Sequence, residues 1–100
     1  MAVAYFIQWP PANPDTAQRI TERINQQLGN QPPAGILYHA EGPTDDGGWW
    51  TFNVWQSEGD RDDFFRQILQ PVLTEVNAPQ PAQVRQLQVN WDSSQMQGGA

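Results

Sequence analysis

Cysteine and lysine are both absent from this 100-residue chain. Without thiols there is no disulfide framework, no thiolate nucleophile and no cysteine metal site. Without lysine, five arginines stand against eleven acids, and the net charge of -6 leaves no basic face for a phosphate backbone or an anionic membrane. Nucleic acid and membrane are therefore excluded as partners. Long apolar runs are missing as well. No stretch approaches the roughly 20 residues that span a bilayer, and the first residues show neither the basic start nor the long apolar core of a secretion signal. The chain reads as soluble and cytoplasmic. Serine occurs only at Ser57, Ser93 and Ser94, so no Ser-His-acid set can be singled out, and Gly47-Gly48 precedes a strand rather than the helix a phosphate loop requires.

What is present is apolar and aromatic. At 38% apolar content and this length the chain supports one domain with one modest core. Residues 1–91 are expected to form it, with 92–100, small and polar, as a tail. Tryptophan is the oddity, five in so short a chain, each bringing a large contact area and an N–H that wants a partner when buried.

Residues 2–9 (AVAYFIQW) are apolar on both alternating sets, the signature of a strand buried on two sides. Pro10 and Pro11 end it. Asn13-Pro14-Asp15 then offers an N-cap, a proline suited to the first helical position and a first-turn acid, and Ala17, Ile20, Ile24 and Leu28 follow at helical spacing up to the stop at Gly29-Asn30. Residues 35–40 read as a second strand. A third, residues 49–56, has a purely apolar face (Trp50, Phe52, Val54) and a mixed one (Trp49, Thr51, Asn53, Trp55). Ser57 and Asp60 form a capping signal, and Phe64, Phe65, Ile68, Leu69, Val72, Leu73 and Val76 give the second helix a wide stripe that Pro71 should kink or interrupt. The last strand is expected over residues 84–91, with Leu87, Val89 and Trp91 on one face.

The order is βαββαβ, an α+β ferredoxin-like arrangement of a four-stranded antiparallel sheet with two helices on one face. Two helices cover only one face, yet strands one and three carry large apolar groups on both. At roughly 25 cal/mol per Å2 of apolar surface, several aromatic rings exceed what a soluble monomer leaves in water as one patch. A homodimer packed sheet against sheet by two-fold symmetry is the economical solution.

The successions Gly35-Ile36-Leu37-Tyr38-His39, Gly42-Pro43-Thr44-Asp45-Asp46-Gly47, Val54-Trp55-Gln56-Ser57-Glu58 and Phe64 to Pro71 together resemble the dimeric α+β-barrel superfamily, the group containing antibiotic biosynthesis monooxygenases. The likeness covers nearly the whole chain up to Trp91 and is closest to the superfamily's small, uncharacterised bacterial members. It implies a dimeric α+β barrel with a pocket between sheet and helices. In the oxygenases of this group neither metal nor flavin is required, and a substrate that forms a stabilised carbanion reacts with oxygen, so no cofactor and no metal are expected. Trp55 matches the superfamily's tryptophan at the end of the third strand. With Trp55 facing the helices, alternation puts Asn53, Thr51 and Trp49 on the same face, and Phe64, Ile20 and Ile24 complete the expected wall. The helical histidine of the superfamily's haem degraders has no counterpart, since the second helix offers Phe64 and Phe65 instead.

His39 is the only side chain whose ordinary pKa lies near neutrality, so proton transfer falls most naturally to it. Its placement depends on hairpin register. Opposite an odd-numbered residue such as Thr51 it joins Asn53 and Trp55, whereas opposite Trp50 it enters the dimer interior, and the eight-residue connection leaves both open. Tyr5 is a further candidate as donor to a ligand. Glu41, Asp45 and Asp46 fit no EF-hand spacing and are read as the acids of a turn. The expected ligand is small, flat and largely apolar. The function is either a cofactor-independent oxygenation or related proton transfer with His39 as acid/base, or ligand binding and dimer formation without chemistry.

Overall fold

The computed structural model describes residues 2–13 and 15–90. Strand β1 (Val3–Trp9) leads into helix α1 (Asp15–Leu28), followed by the hairpin β2 (Ile36–Pro43) and β3 (Trp49–Trp55). The second helical stretch has three pieces, α2 (Glu58–Phe64), a π-helical segment (Phe65–Leu69) and α3 (Gln70–Glu75), and β4 (Gln83–Gln88) closes the order. The four strands form one antiparallel sheet in the order β2-β3-β1-β4, so the two central strands are the two that are apolar on both faces. That is the ferredoxin-like α+β fold. Among the described residues no helix is long and apolar enough to cross a membrane.

Local chemistry accounts for the element ends. Asn13 Oδ1 accepts from the Asp15 amide at 3.0 Å, capping α1. At its other end Gly29 and Asn30 both take positive φ, and the Asn30 amide closes back on the Asn25 carbonyl at 2.9 Å. Ser57 caps α2 by accepting from the Asp60 amide at 3.2 Å while its hydroxyl donates to the Asp60 carboxylate at 3.1 Å. Pro14, placed by sequence at the first helical position, and Trp91 with the tail 92–100 lie outside the described residues.

Pro71 does not break the second helix. A proline cannot donate, and its ring crowds the carbonyl four residues back. The ladder answers by slipping to longer spacing just upstream, where the Gln70 amide reaches the Phe65 carbonyl through the π segment, and α3 starts with Pro71 in its first turn. The last ladder is also shifted from the sequence expectation. It spans Gln83–Gln88, all six residues exposed.

Register divides the residues between two layers. On the helix side Val3, Tyr5, Ile7 and Trp9 stand opposite Trp55, Asn53, Thr51 and Trp49. Val3, Tyr5 and Trp55 form the buried cluster, with Ile36 and Phe64 packed against it and the Trp55 and Phe64 ring centroids 5.3 Å apart. The opposite layer pairs Ala4 with Val54, Phe6 with Phe52 and Gln8 with Trp50, and adds Tyr38 from β2 and Leu87 from β4, which are 57% and 47% exposed. Among the described residues no helix lies over that layer, and its aromatic groups face outward from the chain.

Candidate functional site

Helix α1 buries no residue completely, and its closest helical neighbours are α3 and the π segment rather than the sheet. A cavity of about 640 Å3 fills the space between them, within the range of small-molecule sites. Ile20, Ile24 and Leu28 of α1 roof it, Trp55 and Phe64 wall one side, and Trp9, Trp49, Thr51 and Asn53 come from the sheet.

The hairpin register decides His39. It stands opposite Asn53, and Glu41 stands opposite Thr51, so both face the helices and both line the cavity. A break in register between Ile36 and Tyr38 makes room for one extra residue, Leu37. That bulge puts Tyr38 on the outer layer and His39 on the inner one while Ile36 still faces Trp55.

Reading Glu41 as a turn acid is corrected by this geometry. The turn proper is held by Asp46, whose Oδ1 accepts from Thr44 Oγ1 and from the Gly48 amide, with Gly47 at a φ of 88°. Glu41 lies two residues after His39 on the same strand face, and alternation brings the two side chains together. Its Oε1 is 3.1 Å from His39 Nε2, and its Oε2 accepts from the Trp49 indole at 2.8 Å. The bond with His39, helped by the indole and opposed by partial burial, holds the Glu41 carboxyl below the ordinary carboxylate range. An ionised carboxylate can only accept, so Nε2 carries a hydrogen, and the tautomer this bond selects has its lone pair on Nδ1. His39 therefore has an orienting partner that composition alone did not reveal.

Asn53 is fixed in the same manner. The Trp55 indole, 2% exposed as a residue, donates to Asn53 Oδ1 at 2.6 Å. Because an indole has no acceptor, that bond assigns the amide, and its Nδ2 keeps its donors with no acceptor among the described residues. Thr51 adds a hydroxyl to the cavity wall. Tyr5 is not brought to the cavity. It lies in the buried cluster under the Arg61 guanidinium, 4.2 Å from the ring centroid, and burial raises its phenol pKa despite that cation. Among the described residues no group of three or more His, Asp or Glu side chains could hold a metal ion.

Neither a family model nor a curated protein matches the chain. Solved structures do. A variant of SnoaB, a cofactor-independent oxygenase from Streptomyces nogalater, matches with a TM-score of 0.67 at 13% identity, over 92% of this chain and 96% of that one. A Mycobacterium tuberculosis protein gives 0.67 at 15% identity, over 93% and 99%. A dimeric ferredoxin-like protein of unknown function from Jannaschia gives 0.64 at 14%, over 89% and 100%. At such identities the likeness shows a shared fold.

Proposed function

We propose that the cavity binds a flat, largely apolar carbon acid and that the protein oxygenates it without a metal or an organic cofactor. The observation that carries this reading is a pair of pre-set polar groups facing the cavity: an imidazole oriented by Glu41, and an Asn53 amide whose carbonyl is already occupied by Trp55. His39 Nδ1 takes a proton from an activated CH2 or phenol, and the Asn53 N–H donors stabilise the negative charge that develops on the substrate oxygen. The resulting carbanion gives electrons to molecular oxygen, and the hydroperoxide that forms at carbon loses water to leave a carbonyl. A CH2 group and O2 become C=O and H2O, with no other reductant consumed. Ile20, Ile24, Trp55 and Phe64 supply apolar surface for the ring system of such a molecule. That SnoaB, which shares the fold, is a cofactor-independent oxygenase supports the same reading.

The outer layer of Phe6, Trp50, Phe52, Val54, Tyr38 and Leu87 is proposed to be covered by a second copy of the chain, packed sheet to sheet. The dimeric ferredoxin-like neighbour supports this arrangement.

Oxygen uptake with anthrone and with a dihydroxynaphthalene tests the chemistry. Turnover is expected from the native protein and at least a hundredfold less from His39→Ala, in line with the usual worth of a general base, about 10²–10⁴. Equal rates for the two would remove His39 from the reaction. Binding of anthrone without any uptake would leave a ligand-binding dimer.

A further inference from the structure

The charge around the cavity carries an inference about what enters it. Lysine is absent from the sequence, and all five arginines are occupied elsewhere or lie away from the chamber. Arg23 pairs with Glu75 at 3.0 Å, Arg61 lies on Tyr5 and beside Asp62, Arg66 pairs with Asp63, and neither Arg19 nor Arg85 lines the wall. No cationic side chain is available there to receive a carboxylate, apart from His39 when it is protonated.

The opposite charge is present. The Glu41 side chain is 29% exposed and lines the cavity at its hairpin end, with His39 facing it and the Trp49 indole bonded to it. Each of its oxygens accepts one hydrogen bond from the protein and keeps capacity for another. Trp9 and Trp49 are direct cross-strand partners in β1 and β3, so their Cβ atoms lie about 4.5–5.5 Å apart, and both rings border the chamber. Indole faces attract cations, and the Glu41 carboxylate bonded to Trp49 adds a counter-charge. Apolar depth toward Ile20, Ile24 and Phe64 holds the rest of the molecule.

We infer that the cavity takes flat apolar ligands bearing a basic nitrogen and turns away those bearing a carboxylate, with the ammonium group lodged at Trp9, Trp49 and Glu41. This rests on the reading of the chamber as a ligand site, and it adds the ligand's charge class. Glu41 then has two tasks, orienting His39 and receiving the cation.

Isothermal titration with 2-naphthylmethylammonium, 2-naphthalenemethanol and 2-naphthoate tests it on one ring system. The titrations are run at about pH 8, above the ordinary imidazole range. The ammonium compound is expected to bind at least tenfold tighter than the carboxylate, with the alcohol between them. Glu41→Gln should bring the ammonium within twofold of the alcohol. Glu22→Gln, which removes the same charge from the outer surface of α1, should leave the order unchanged and so separates the site from the general acidity of the chain. Naphthoate binding as tightly as the ammonium, or a preference that survives Glu41→Gln, overturns the inference while leaving the chamber a ligand site. Failure of all three to bind overturns the chamber reading and the inference together. If Glu41→Gln does not fold, the native ranking still decides.

Discussion

Replacing Asn53 by leucine tests the hydrogen bond that orients its amide. The Trp55 residue is 2% exposed, and its indole N–H has one partner, Asn53 Oδ1 at 2.6 Å. Leucine fills much of the same volume but cannot accept, so the N–H loses its only partner among the described residues. A buried donor stranded in this way costs about 1–3 kcal/mol. In a domain of this size each kcal/mol lowers Tm by about 4–8 °C. Trp55→Phe removes the donor itself and part of a ring packed on Phe64 at 5.3 Å, and is also destabilising. The double variant carries the test. With no N–H left to strand, Asn53→Leu costs less in the Trp55→Phe background, and the two effects fall short of additivity by about 1 kcal/mol or more. Urea unfolding followed by far-ultraviolet circular dichroism measures all four corners of the cycle. Additivity within about 0.5 kcal/mol would show that the bond is not made, and the assigned orientation of the Asn53 amide, with its free N–H donors, would go too.

The depressed Glu41 carboxyl makes stability depend on acid. Because its folded pKa lies below the unfolded value, the contribution is full above the ordinary glutamate pKa and is lost as pH falls through the folded one; Glu41→Gln should therefore narrow the drop in urea midpoint between neutral and acidic buffer. At Gly48 an added Cβ would lie 2.3 Å from the Trp9 carbonyl oxygen, a backbone atom that cannot step aside, so Gly48→Ala should cost about 1–3 kcal/mol by thermal melting. Phe52 stands opposite Phe6 in the outer layer, and Phe52→Arg should shift sedimentation from the mass of two chains to that of one; a native protein that sediments as a single chain at micromolar concentration would refute the sheet-to-sheet dimer.

Legibility differed by feature, for physical reasons. Period-two patterning in β1 and β3 was sufficient because both faces are apolar, and the caps at Asn13 and Ser57 are local chemistry that no distant contact overrides. Hairpin register was not legible. It depends on the bulge at Leu37, and the pattern around residues 35–40 is too uniformly apolar to reveal one extra residue. Glu41 was within reach, since a glutamate two positions after a strand histidine shares its face, but its nearness to Asp45-Asp46 disguised it as part of the turn. Tyr5 was singled out by residue type, and the Arg61 guanidinium that covers it comes from more than fifty residues away. The π segment was foreshadowed by Pro71 only as a disturbance, because a missing donor does not say whether a helix will stop or slip.

That slip sets a rule for change in the second helix. A π turn holds one more residue than the α ladder uses over the same rise, so Phe64 and Val72, eight positions apart, both reach the interior, as seven positions would in an uninterrupted α-helix. The stretch from Phe65 to Leu69 thus carries a spare residue. Deleting Gln67 alone would restore regular winding and drive it into the pyrrolidine ring, whereas the same deletion made together with Pro71→Ala should be absorbed. Proline and surplus residue form a matched pair, and each is tolerable because of the other.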